Sequence, residues 1–475
     1  MEQVEVVVTR TENKTWIVEE LKKVSSMAAP MVVVSVSLSL LPTISLMMAG
    51  HLGKLPLSGV SVATSFTNAT GFAVIFGFCG ALDTLCGQAY GAGQYQKFGS
   101  YTYCATISLV PICLPISILW IFMDKLLILV GLNPEISRVA CKYSIALIPA
   151  LFGYAIVQSL LRYFQSQSLI LPTLISSCAA LSFYVPICWG LMFKWGFGYC
   201  GGAIAVGLAY WLNAILLTCY IRCSSSCEKT RILCWKDVFS SFSTIWRLAV
   251  PSTVMVCLEW WTFELLILLA GLLPNSKLET SVLSICLTTT ALHYFLQYGI
   301  GAAASTRVSN ELGSGNPLAA RAVVGVVLSI SLTEAVIVSI ILFCMRCVFG
   351  YAYSNDKEVV EYVKKVTPLL SLSIVMDSLQ AVLSGIARGC GRQQIGACIN
   401  LGAYYFIGTP ISVLLCFVAH LRGKGLWIGV VTGSTMQVAL LALLTAATNW
   451  QKQARIAKDR IFKGQLQQTA DGIEL

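Results

Sequence analysis

The stretch MAAPMVVVSVSLSLLPTISLMMAG, Met27 to Gly50, decides the class of this protein. It carries no charged side chain, and it exceeds the roughly 20 residues a helix needs to cross a hydrocarbon core. Further apolar stretches of similar length follow near 57–82, 98–123, 139–161, 169–193 and 201–221. A second set lies near 244–272, 279–305, 317–345, 359–387, 394–419 and 425–449. Only 11% of the 475 residues are charged, against roughly 25% in an average soluble protein, so several water-facing domains are excluded. The pattern predicts an all-α polytopic membrane protein with twelve transmembrane helices in two pseudo-symmetric six-helix bundles. Its expected parts are a cytosolic tail (1–26), an N-terminal lobe (27–221), a cytosolic linker (222–243), a C-terminal lobe (244–450) and a cytosolic tail (451–475).

A net charge of +10 often points to nucleic acid, but here the basic residues orient the spans. With the N-terminus in the cytosol, most of them fall on the cytosolic side, among them Arg10, Lys14, Lys97, Arg162, Arg307, Arg388 and Lys463. An even number of spans then brings the C-terminus to the same side. Most of the 19 cysteines lie inside apolar runs, where a small polarizable side chain packs well. With three histidines, no metal site is expected. The Gly-rich pieces at Gly91–Gly93 and Gly313–Gly315 lack the Lys-Ser/Thr ending of a nucleotide loop.

The two halves repeat. Ala28, Pro30, Ala49 and Gly50 match Ala249, Pro251, Ala270 and Gly271, at an offset of 221 residues. Gly77, Ala81, Thr84, Gly91 and Gly93 match Gly299, Ala303, Thr306, Gly313 and Gly315, at 222. Gln158 and Leu161 match Gln380 and Leu383, also at 222. Each copy holds six spans, so both have the same membrane orientation, an arrangement that supports alternating access.

Four acids lie within predicted spans: Glu259, Glu264, Glu334 and Asp377. A charged carboxylate at mid-bilayer costs several kcal/mol, and burial favours its neutral form. Such a group can take a proton from one side and release it to the other, or hold a cationic solute. Glu259 and Glu264 sit about 140° apart on a helix, so one can face a central cavity while the other meets a neighbouring helix. The indole of Trp260 offers a cation–π surface beside Glu259. Glu334 is read as an interhelical hydrogen bond, and His293 as a packed, neutral histidine. Tyr294, Gln297 and Asn68 either line the cavity or serve packing. All four acids belong to the second repeat copy, so proton handling is expected in the C-terminal lobe.

Five runs stand out: Met48–Gly53 (MAGHLG), Ala81–Ala92 (ALDTLCGQAYGA), Cys257–Trp261 (CLEWW), Ala303–Gly313 (AASTRVSNELG) and Ser384–Gly391 (SGIARGCG). Together they resemble the multidrug and toxic compound extrusion (MATE) family, in its plant detoxification branch. The resemblance covers residues of about 20–450. It implies a V-shaped pair of bundles and antiport of a cytosolic organic solute against H⁺, with no other cofactor. It maps the family's essential carboxylates onto Glu259 and Asp377; Glu264 is a further candidate on its position within a span alone. Ser45 stands where bacterial relatives carry a first-span aspartate. Asp83, Arg307 and Glu311 are expected to brace the inner gate. The expected protein is thus a transporter rather than an enzyme, a monomer in the vacuolar or plasma membrane with both termini cytosolic. A lipid-precursor flippase of related fold and a membrane-embedded transferase are the alternatives.

Overall fold

The computed structural model describes residues 2–273 and 276–471, with side chains from residue 16 to 462 except 276 and 277. The charges at Arg10, Lys14 and Lys463 and the tail residues 472–475 lie outside the described side chains. Among the described residues there are helices and turns and no strand. We number the long helices α1 (Glu2–His51), α2 (Lys54–Gly91), α3 (Tyr95–Ile121), α4 (Pro134–Ser166), α5 (Ile170–Lys194) and α6 (Gly198–Cys223). The second set is α7 (Trp235–Gly271), α8 (Ser276–Gly313), α9 (Pro317–Cys347), α10 (Lys357–Cys390), α11 (Gln393–Val418) and α12 (Arg422–Ala446). A further helix, α13 (Trp450–Asp471), follows.

Among the described residues, eleven helices are long and apolar enough to cross a membrane. The remaining member of the expected twelve is α8, which has ample length at 38 residues. Its middle carries Thr288, Thr289, Thr290, His293 and Gln297, so it is the least apolar of the set. Helix α1 runs without a break from the region expected as a tail, and Glu20 and Val24 on it are already buried.

The helices form two compact units. One is Val33–Glu264; the other joins residues up to Val32 with those from Leu265 onward. In the first, α4 packs against α2, α3 and α6. In the second, α10 packs against α8, α9 and α12. Helices α4 and α10 carry the matched Gln158/Gln380 and Leu161/Leu383, so the same repeat position forms the centre of each unit. The connecting turns repeat as well. Gly93 and Gly315 both adopt positive φ (70° and 80°). In each turn the following residue donates back into the helix, Gln94 N to Ala89 O and Asn316 N to Glu311 O, both at 2.9 Å. A left-handed residue is needed to close a helix this way, and glycine takes that conformation without a Cβ clash.

The units do not follow the repeat boundary: α1 as far as Val32 joins the second unit, and α7 as far as Glu264 joins the first. A Cβ on Gly77 of α2 would come 2.6 Å from Thr253 Cα of α7. A Cβ on its repeat partner, Gly299 of α8, would come 2.7 Å from Ala28 O of α1. Small residues permit this backbone approach, which gives dispersion contact where lipid offers no hydrophobic drive. The segment between α6 and α7 is also packed. Buried Thr230 makes a 2.6 Å hydroxyl contact with Tyr163, and Cys227 is buried, which raises its thiol pKa.

Adding a methyl group at either contact forces backbone apart. Gly77→Ala and Gly299→Ala are each expected to destabilise by about 1–3 kcal/mol, read from unfolding in detergent. Gly325→Ala, where a Cβ meets nothing within 4 Å, is the control and should match or exceed the wild type. Unchanged stability in both tight variants would contradict the packing described.

Candidate functional site

Glu259 is half-buried on α7, in the part of that helix belonging to the unit Val33–Glu264. Its two following residues fix this stretch of helix on α2. Trp260 stacks on Phe76, with centroids 5.7 Å apart and planes at 27°. Trp261 donates Nε1–H to Ala69 O at 2.9 Å. Ala69 lies in a single π-helical turn, Asn68–Phe72, where the backbone ladder is rearranged. Half-buried Asn68 opens this turn, and Trp120 Nε1 donates to Thr70 Oγ1 within it at 3.0 Å. Trp260 and Asn68 therefore flank one α2–α7 contact. Glu264 is half-buried at the end of this unit.

Asp377 lies on α10 in the other unit. Ser373, one turn earlier, donates Oγ–H to Oδ2 at 2.9 Å. Ser434 of α12 donates to Oδ1 at 3.0 Å. Both serines are buried. A hydroxyl donates to a carboxylate and accepts from a carboxylic acid, so these partners serve either protonation state. The second-copy acids are thus divided between the units: Glu259 and Glu264 in one, Asp377 and Glu334 in the other. The concentration in one half, expected from the sequence, holds along the chain and not in the contact units, because α7 as far as Glu264 belongs with the helices around α2.

Glu334 of α9 faces α8. His293 Nε2 lies 2.9 Å from Glu334 Oε1, and Gln297 Nε2 donates to Glu334 Oε2 in a short contact. His293 and Gln297 are buried, and Tyr294 between them is half-buried with its ring 6.3 Å from that of Tyr298. Gln297 is therefore joined to Glu334, and His293 is paired with an acid rather than simply packed.

The residues expected to brace the inner ends form two networks, one in each unit. Asp83 pairs with Arg162 at 3.3 Å, with both side chains buried. The Arg162 guanidinium lies 5.1 Å from the Phe76 ring, the ring on which Trp260 stacks. This gives a continuous set of contacts from Asp83 to the residue after Glu259. In the other unit, Arg307 holds Glu20 of α1 through Nε at 2.6 Å and Nη2 at 3.0 Å, and Glu311 through Nη2 at 2.7 Å.

Two buried acids escape a sequence reading. Glu20 resembles a tail residue, and Glu279 sits where a span ends. Glu279 accepts from Tyr362 Oη at 2.8 Å and Gly423 N at 3.0 Å. Ser45, by contrast, is buried and in a 2.9 Å hydroxyl contact with Tyr143. Its surroundings are neutral and close-packed: a Cβ on Gly202 would collide with Ser45 Oγ.

Removing one partner of a buried ion pair strands the other charge. Arg162→Met is expected to cost about 3–5 kcal/mol, measured by unfolding in detergent. The double variant Arg162→Met/Asp83→Asn should recover much of that loss. A single variant as stable as wild type would show the pair to be dispensable.

Comparison with known proteins accords with this geometry. The MatE family model matches residues 30–189 and again 251–414, one match in each repeat copy. Protein DETOXIFICATION 8 of Arabidopsis thaliana is 54% identical over 445 residues, covering 94% of this chain and 92% of the relative. Protein DETOXIFICATION 3 of the same plant is 53% identical over 446 residues, covering 94% of each chain. The crystal structure of the eukaryotic MATE transporter AtDTX14 superposes with a TM-score of 0.90 at 50% identity, covering 94% of this chain and 99% of that one. A point mutant of the Vibrio cholerae MATE transporter VcmN shares the fold with a TM-score of 0.83 at 15% identity, covering 92% and 99%. The chain therefore belongs to the MATE family, as a multi-pass membrane transporter akin to the plant DETOXIFICATION proteins.

Proposed function

We propose that the protein is a proton-coupled antiporter that exports organic, often cationic, metabolites and xenobiotics from the cytosol by alternating access. The observation that carries this reading is Asp377, a carboxyl on a membrane-spanning helix whose hydrogen-bond partners are two serine hydroxyls. A lysine or arginine partner would fix the carboxylate as an anion. Hydroxyls leave it able to gain and lose a proton with both hydrogen bonds kept.

Exchange then follows from competition. As an anion, Asp377 attracts a solute cation; as a neutral acid, it releases it. A proton arriving from the acidic side displaces the solute there, and loss of that proton to the cytosol restores the charge. Glu259 is assigned the same role, with the neighbouring Trp260 indole as a surface for planar or cationic solutes. Glu264 is kept as a further acid on the same helix, and Tyr294 and Asn68 as neutral solute contacts. H⁺ is the coupling ion in this scheme, and no other cofactor enters it. The membrane is the vacuolar or the plasma membrane, with both termini in the cytosol and a single chain as the working form.

Proteoliposomes loaded with a fluorescent organic cation test the scheme. An imposed pH gradient should drive flux, and an ionophore that collapses it should stop that flux. Asp377→Asn and Glu259→Gln should each fall to the rate of protein-free liposomes while retaining wild-type unfolding behaviour. Flux indifferent to the gradient, or wild-type rates in Asp377→Asn, would falsify the proposal.

A further inference from the structure

Most of the thiols are buried, whereas Cys344 and Cys347 are exposed and three residues apart, a C-x-x-C spacing. The apolar run of α9 ends between them at Arg346, whose guanidinium lies 4.4 Å from the Phe343 ring. Ser354, Asn355 and Asp356 follow before α10 begins. The pair therefore sits where the helix leaves hydrocarbon for water, within reach of soluble thiol chemistry. The backbone also brings the two side chains together. Helix α9 tightens at its end into a 3-10 turn, Met345–Cys347, with Cys344 as its N-cap at φ −65° and ψ −38°. In such a turn, residues three apart eclipse, with a rise of about 2 Å per residue. Cys344 and Cys347 thus share one face with Cα atoms about 6 Å apart, inside the range of about 4.4–6.8 Å that a disulfide spans. The next 3-10 turn, Phe349–Ala352, packs on α10, the helix that carries Asp377.

We infer that Cys344 and Cys347 form a disulfide in the mature protein and close the end of α9 beside α10. The inference rests on the orientation proposed above for its compartment. In that orientation the Gly315 turn before α9 is cytosolic, so α9 ends on the opposite face. On the way to either membrane that face matures in the lumen of the endoplasmic reticulum, which is oxidising. The bond forms by exchange. One thiolate attacks a lumenal disulfide, glutathione disulfide or that of an oxidoreductase, and expels one of its sulfurs as a thiolate. The second cysteine then attacks the mixed disulfide, forms the Cys344–Cys347 bond and expels the other sulfur. The two thiol protons pass to the expelled thiolates, and the oxidant takes both electrons. Cys219 and Cys223 of α6 supply an internal contrast. They too are exposed, but they lie four residues apart on a regular helix. The same orientation puts them on the cytosolic face, where thiols are kept reduced.

Trypsin cuts after Arg346, which puts Cys344 in the peptide Ala322–Arg346 and Cys347 in Cys347–Lys357, each with no other cysteine. The full-length protein is expressed in yeast, alkylated with N-ethylmaleimide in the membrane, and digested without reductant. Mass spectrometry should find the two peptides as one linked species that a phosphine separates. Cys223 should be recovered alkylated. Two separate peptides, each alkylated, would overturn the disulfide. Sealed microsomes with the cytosolic face outward test the compartment independently. After reduction with dithiothreitol and its removal, a membrane-impermeant maleimide should label Cys344 and Cys347 only once detergent is added. Linked peptides together with labelling of the reduced pair in sealed microsomes would overturn the proposed orientation and leave the disulfide standing. Separate alkylated peptides together with protection in sealed microsomes would overturn the disulfide and leave the orientation standing.

Discussion

The cost of an unpaired charge away from water governs how the buried charges among the described residues are placed. Asp83 pairs with Arg162, Glu20 with Arg307, and Glu334 with His293. Each pair lies inside one compact unit. These contacts join helices whose apolar surfaces would be equally well satisfied by lipid, so they specify which helix meets which. Asp377 meets the same constraint with a different partner set, the hydroxyls of Ser373 and Ser434.

Duplication gives the framework, and divergence gives the chemistry. Helices α4 and α10 share a position at the centre of their units, and the turns at Gly93 and Gly315 share a backbone geometry. Yet the ionisable groups on these frameworks differ. The first copy places the hydroxyls of Ser45 and Tyr143 together in a buried contact. The second copy places Asp377, Glu334 and His293 in one unit and sends Glu259 into the other.

Much of this was legible in the sequence. Uninterrupted apolar runs located the spans, and the repeat offset located equivalent turns. The polar middle of α8 was visible as Thr288–Thr290, His293 and Gln297, but its partner was not. Glu334 is 41 residues from His293 in sequence, and a single sequence carries no signal that joins them. Glu20 lies in the expected tail, where charged neighbours such as Lys22 and Lys23 make its stretch look solvated, whereas the helix continues through it and Arg307 meets it from α8. The division of the acids between units was hidden for a different reason. Chain order assigns α7 to the second copy, and only packing shows Trp260 and Trp261 docked on α2.

The helix segments that cross the repeat boundary also tie the two copies together. Gly77 packs on α7, and Gly299 on the part of α1 that precedes Val33. Each compact unit therefore draws on both copies, and a copy expressed alone would leave a small-residue face without the backbone that covers it.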